Sequence, residues 1–129
     1  MSQMPKIPKK VTGFAHFRAA ARYSFDGSKV LFGEAAFRQE ILAQLVILGL
    51  FWFVGVSPVH YVVTIILFLV TSAVEALNTS LEEIVDLVSP EWSQRAKNAK
   101  DLGSFAVLCL LCSNGFYVAF ALATTLGLF

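Results

Sequence analysis

Charge is what this sequence is short of: Asp, Glu, Lys and Arg make up only 15% of its 129 residues, against about 25% in an average soluble protein. Two cysteines, two histidines and four prolines leave little from which to build a disulfide framework, a histidine-rich metal cage or a proline-rich linker. No G-x-x-x-x-G-K-[ST] run occurs, which excludes a Walker-type phosphate loop, and neither His16 nor His60 has a partner for Ser-His-Asp chemistry. Apolar residues take the place of charge. They amount to 57%, with twelve Phe and two Trp, above the roughly 45–50% of soluble chains. That excludes intrinsic disorder, argues against a water-soluble monomer, and points to a bilayer as the solvent. The length fits one folded unit.

From residue 41 to residue 74 there is no charged side chain, and the only break is the turn-like Gly55-Val56-Ser57-Pro58. The break divides the run into Ile41 to Val56 and Val59 to Val74. Each half is a little shorter than the roughly 20 residues that cross about 30 Å of hydrocarbon, so flanking residues must complete each span. A third uncharged run covers Leu102 to Phe129. The expected fold is therefore an all-α integral membrane protein of three transmembrane helices: 34–56, 59–88 with a cytoplasmic extension, and 100–128. A cytoplasmic loop at 89–99 separates the second span from the third.

The ten Lys and Arg residues lie at 6, 9, 10, 18, 22, 29, 38, 95, 97 and 100, and the Ser57-Pro58 turn has none. Basic residues stay on the cytoplasmic side, so the N-terminus is expected inside and the C-terminus outside, in the periplasm of a bacterial inner membrane. No short apolar stretch followed by a small-residue cleavage site begins the chain, so the N-terminus is expected to be retained. Residues 1–33 read as a cytoplasmic tail and surface helix. Over 13–25, Phe14, Phe17, Ala21 and Phe25 gather near one helical face, as in a helix lying among lipid headgroups. Nucleic acid is not an expected partner, because the chain offers no basic face interleaved with stacking aromatics.

Cys109 and Cys112 form a C-x-x-C in the middle of the third apolar run. A thiolate is disfavoured there and no second ligand pair completes a tetrahedral site, so both read as small packing residues.

Chemistry concentrates where the second span ends, in V-E-A-L-N-T-S-L-E-E-I-V-D, residues 74–86. With Glu75 as zero and about 100° per residue, Asn78 lies at roughly −60°, Glu82 at roughly −20° and Asp86 at roughly +20°. One helical stripe thus carries three carboxylates and an amide, with Leu77, Leu81, Ile84 and Val88 opposite. A carboxylate at the depth of Glu75 is functional by default, since burying it unpaired costs several kcal/mol. The alternative for Glu83 and Asp86 is an ordinary solvated face. Glu34, Lys100 and Asp101 reach the same interface. Hard oxygen ligands without Cys or paired His suit Mg²⁺, completed by water and phosphate, and such a set can support phosphoryl transfer without a P-loop. A small transporter or channel is the rival class, but it calls for acids spread through the membrane depth.

Three motifs in order, E-A-A-F-R-Q-E (34–40), E-A-L-N-T-S-L-E-E-I-V-D (75–86) and A-K-D-L-G-S-F-A-V-L (99–108), resemble the prokaryotic diacylglycerol kinases. The resemblance covers about residues 13–125. It implies a homotrimeric inner-membrane lipid kinase that uses MgATP to convert diacylglycerol to phosphatidic acid, with active sites shared between subunits. By this resemblance Glu75 is the general base, beside Asn78, and Glu34 and Glu82 hold Mg²⁺ and nucleotide phosphate. Lys100, Asp101, Tyr23, Glu91, Trp92 and Ser93 contact the nucleotide, and Arg38, Gln39, Glu40, Glu75 and Ser104 line the lipid site. A branch of the family phosphorylates undecaprenol instead; the E-A-A-F-R-Q-E block and the amphipathic N-terminal stretch favour diacylglycerol. Two departures touch the surface helix: His16 stands where enterobacterial members have Arg, and Gly33 where they have Asn.

Overall fold

The computed structural model describes residues 12–128, and all regular structure among them is helical. Four helices follow one another: α1 Phe14–Gly33, α2 Ala35–Val54, α3 Pro58–Val88 and α4 Gln94–Thr125. The basic Lys6, Lys9 and Lys10, expected in the tail, lie outside the described residues.

The connections are short and each has a local cause. A single extended residue, Glu34, separates α1 from α2, and its N–H donates to the Leu31 carbonyl at 3.0 Å. Gly55 ends α2 in the left-handed region, at φ 78°. The Val56 N–H reaches back to the Phe51 carbonyl and the Gly55 N–H to that of Trp52, which is the Schellman pattern that glycine permits. Its usual apolar contact is present too, because Phe51 and Val56 are buried together with Ala121 of α4. Pro58 then opens α3 from the first-turn position, where its missing N–H is not needed.

The turn between α3 and α4 is shorter than the sequence suggests. Residues 89–99 read as a loop, yet α4 begins at Gln94, because the Ser93 side chain accepts the Ala96 N–H at 3.1 Å and caps it. α1 likewise runs on to Gly33, beyond the 13–25 segment singled out by its aromatic face.

α2, α3 and α4 are each long and apolar enough to cross a membrane. At 31 and 32 residues, α3 and α4 reach roughly 46 Å at 1.5 Å per residue, about one and a half hydrocarbon thicknesses, so both continue into water. They form the main antiparallel pair. His60 Nδ1 meets the Tyr117 hydroxyl at 2.9 Å at one end, and in the middle Asn114 Nδ2 donates to Thr71 Oγ1 at 2.9 Å. Asp86 pairs with Lys100 at the other end. In lipid such interhelical hydrogen bonds supply register where hydrophobicity cannot, since the tails are as apolar as the side chains. α2 leans on this pair through two aromatic contacts, Phe51 with Tyr61 and Phe37 with Phe68.

Little of the apolar surface is covered by the chain itself. Only 17%, 17% and 11% of the three span-capable segments is buried, and Trp52 and Phe53 are 82% and 87% exposed. Cys109 and Cys112, read as packing residues, are both exposed on α4 within the single chain.

Candidate functional site

The polar stripe of α3 turns inward at the end opposite the Gly55 turn. Glu75 is 7% exposed, and Asn78 and Glu82 are half-buried, while Leu77, Ile84 and Val88 on the other side are exposed. Helical spacing accounts for this. Positions 75, 78 and 82 recur at three and four residues and share one face.

Four carboxylates from three parts of the chain lie at this end. Glu75 lies within Coulombic reach of Glu82 on its own helix, of Glu34 in the α1–α2 joint, and of Glu40 on α2. The ion pairs among the described residues involve Asp26, Asp86 and Asp101, and none of these four acids. Glu40 Oε2 is moreover buried without a hydrogen-bond partner. Glu34 is exposed and Glu40 half-buried, so the covered Glu75 bears most of the desolvation, and a cation or a shared proton would relieve it.

One contact in this group has an unusual geometry. Asn78 Nδ2 donates to Glu82 Oε1 at 2.9 Å, which holds the carboxylate along the stripe. The Asn78 amide lies directly against Gly103 of α4, so closely that a Cβ there would overlap its Oδ1. Gly103 belongs to the A-K-D-L-G-S motif, but pattern reading gives it no role, because its neighbour across the seam appears only in three dimensions.

A second cluster lies farther along the α3–α4 pair. Asp86, Glu91, Trp92, Ser93, Lys100 and Asp101 line an open cleft of about 410 Å³ at the turn between the two helices. Lys100 and Asp101 are neighbours in sequence but are not each other's partners: Lys100 pairs with Asp86 across the seam, and Asp101 with Lys97 one turn away. The Ser89 hydroxyl donates to the Glu91 carbonyl at 3.1 Å and shares a 3.3 Å contact with the Ser93 hydroxyl, which shapes the turn.

The remaining expected site residues are more scattered. Tyr23 is exposed on α1, where with Arg18 and Asp26 it lines a groove along that helix and not the cleft. His16, Gln39 and Ser104 are exposed. Arg38, expected at the lipid site, turns its guanidinium onto the end of α1, donating to the carbonyls of Phe32 at 3.1 Å and Gly33 at 2.6 Å. A cation on a helix C-terminus is favourable, so Arg38 ties α1 to α2 across the Glu34 joint.

Known proteins resemble this chain over most of its length. The profile of the family described as prokaryotic diacylglycerol kinase matches residues 22–122. A diacylglycerol kinase of a Sinorhizobium species is 54% identical over 87% of this chain and 82% of its own length. The diacylglycerol kinase of Escherichia coli is 37% identical over 79% of this chain and 84% of its own, and that of Haemophilus influenzae 34% identical over 82% and 91%. With the profile covering well over half of the sequence and relatives of this identity matched over about four fifths or more of both chains, the chain belongs to the prokaryotic diacylglycerol kinase family.

Proposed function

We propose that this protein transfers the γ-phosphoryl group of ATP to the free hydroxyl of diacylglycerol, giving phosphatidic acid and ADP. The observation that carries the reading is the buried Glu75 at the head of an inward stripe that runs along α3, through Asn78 and Glu82, toward the open cleft at the α3–α4 turn about 16 Å away. Proton acceptance needs an acid held near the acceptor, and phosphoryl transfer needs positioning and charge neutralisation more than covalent chemistry.

In this reading Glu75 takes the proton of the lipid hydroxyl as the bond to phosphorus forms, and the bond to the ADP oxygen breaks on the opposite side. Asn78 holds Glu82 in place. Glu34 and Glu82 are the carboxylates for Mg²⁺. Two carboxylates suit Mg²⁺, which typically takes one or two and completes its shell with water and phosphates. When bound, the ion neutralises phosphate charge. Lys100 and Asp101, with Glu91, Trp92 and Ser93, receive the nucleotide in the cleft, and Tyr23 completes that contact from α1. Gln39, Glu40 and Ser104, with Arg38 supporting the joint, border the acceptor lipid.

Assembly and topology follow as part of the same proposal. Tyr23 and the cleft are not joined within one chain, and much apolar surface is exposed; a homotrimer with sites shared between copies addresses both. The basic residues set the N-terminus and the cleft on the cytoplasmic side of the bacterial inner membrane, with α1 lying in the headgroup layer. A single assay tests the function: phosphate transfer from radiolabelled ATP to diacylglycerol, to undecaprenol and to a lipid without a hydroxyl, in one detergent system. Label on diacylglycerol alone is the expected result. Label on undecaprenol alone assigns the other branch of the family, and label on neither alcohol sinks the kinase reading.

A further inference from the structure

Glu34 and Arg38 stand four residues apart in E-A-A-F-R-Q-E, acid first, which is the spacing and the order that favour an ion pair on a helix. That pair is not made. Among the described residues the ion pairs are those of Asp26, Asp86 and Asp101, and Arg38 Nη1 donates instead to the backbone carbonyls of Phe32 and Gly33. Both belong to the last turn of α1, whose carbonyls have no partner within their own helix. Nor is the Glu34 carboxylate used as a cap: Glu34 is the N-cap of α2, yet its side chain accepts no N–H of the first turn. Arg38 and Glu34 meet only through main chain, where the Arg38 N–H donates to the Glu34 carbonyl at 3.3 Å. The Glu34 N–H in turn donates to the Leu31 carbonyl at 3.0 Å. The single extended residue between two 20-residue helices is thus pinned from both sides by its backbone. Its carboxylate keeps its charge, within Coulombic reach of Glu75.

We propose that Arg38 is a positioning residue for Glu34: by fastening the end of α1 it fixes the one-residue joint, and so sets where the Glu34 carboxylate is presented to a divalent ion without neutralising it. A one-residue joint turns two helices, and its own side chain with them, about a single φ and ψ, so it needs a restraint from outside. The choice of restraint is what points to a ligand. A guanidinium paired with Glu34 would supply from within the chain the positive charge that a metal ion brings. Bonded to carbonyls, the same guanidinium holds the same backbone, satisfies the helix end and leaves the carboxylate available to the ion. This assignment rests on the proposed metal role of Glu34 and adds to it the group that aims the ligand.

The test titrates Mg²⁺ against binding of a fluorescent, non-hydrolysable ATP analogue to the full chain in detergent, and measures kcat and KM for diacylglycerol at saturating Mg²⁺ beside it. Arg38→Met keeps an unbranched stem and removes the donors. It is expected to raise the Mg²⁺ concentration that half-restores nucleotide binding by about tenfold, as loss of a group that orients a metal ligand commonly does, and to leave KM for the lipid unchanged. Arg38→Lys, which keeps the charge, should recover part of that shift, and it carries the test if Arg38→Met does not fold. Combined with Glu34→Gln, Arg38→Met should add nothing to the effect of Glu34→Gln alone, because a carboxylate that has been removed is no longer there to position. An unmoved Mg²⁺ midpoint overturns the assignment: with a lower unfolding temperature Arg38 is a helix tie only, and with a raised lipid KM it is a lipid contact. Additive shifts in the double variant overturn it as well. The kinase reading fails separately, if the unaltered chain binds nucleotide with Mg²⁺ but transfers no phosphate to diacylglycerol. An unaltered chain without Mg²⁺-dependent nucleotide binding overturns both.

Discussion

Two sets of acids occupy the same end of this molecule and are treated differently by it. Asp86 and Asp101, at the α3–α4 turn, each have a lysine, and those pairs are substantially open to water. Glu34, Glu40, Glu75 and Glu82, closer to the apolar layer, have none, and Glu75 is almost wholly covered. The first set is what a solvated helix end ordinarily shows, and exposed pairs of this kind contribute little stability. In the second set the chain tolerates mutual repulsion and desolvation without supplying its own cation, an arrangement that favours binding a positive species over stability of the empty fold. The difference separates acids that already hold a lysine from acids left without a cation, and it does so without reference to any relative.

The sharpest way to break the comparison is Glu75→Gln. The substitution keeps shape and removes the proton acceptor, so the rate of transfer should fall by about 10²- to 10⁴-fold, the range for a general base. Nucleotide affinity, measured by equilibrium binding of a fluorescent ATP analogue, should hardly change. A variant that transfers phosphate at close to the original rate would put Glu75 with the ordinary acids.

A smaller effect is expected one and two turns along the stripe. Glu82→Gln should raise the Mg²⁺ concentration needed for half-maximal activity, and Asn78→Ala should raise it by about tenfold, as loss of a group that orients a ligand commonly does. Gly103→Ala forces a methyl group into the Asn78 amide, and so should resemble Asn78→Ala. The two substitutions combined are the informative case. If Gly103 acts by seating Asn78, the double variant is no worse than Asn78→Ala alone, a coupling within the roughly 0.5–3 kcal/mol found for residues in contact. Additive losses in Mg²⁺ activation would show that Gly103 matters only for helix packing. A flat response to Glu82→Gln would instead remove Glu82 from the metal site.

How much of this was legible in the sequence depends on whether a feature is local. The spans are written as uncharged runs, and three helices able to cross a membrane correspond to them. The shared face of Glu75, Asn78 and Glu82 follows from helical spacing alone. The start of α4 was masked by Arg95, Lys97, Lys100 and Asp101, whose charges suit a loop but equally suit a helix that has left the membrane; Ser93 as a cap was the available signal. The partners of Lys100 and Asp101 could not be read from adjacency, because successive residues on a helix point about 100° apart and each meets a different neighbour. Arg38 on the end of α1 and Gly103 beneath Asn78 arise from tertiary packing. Neither leaves a periodic trace.

The smallest predicted effect belongs to the paired set. Lys97 contacts Asp101 one turn along α4, with both side chains more than half exposed, and a pair of this kind typically contributes under about 1 kcal/mol. Lys97→Ala should therefore leave thermal unfolding in detergent almost unmoved. Its informative consequence lies elsewhere, because Asp101 loses its partner and borders the cleft at the α3–α4 turn. If Asp101 serves the nucleotide, its unneutralised charge should weaken MgATP binding a few-fold at low salt, and added salt should erase the difference by screening. An unfolding temperature that falls by many degrees would mean that the outer pairs hold the helix end together, and the distinction between the two sets of acids would lose its physical basis.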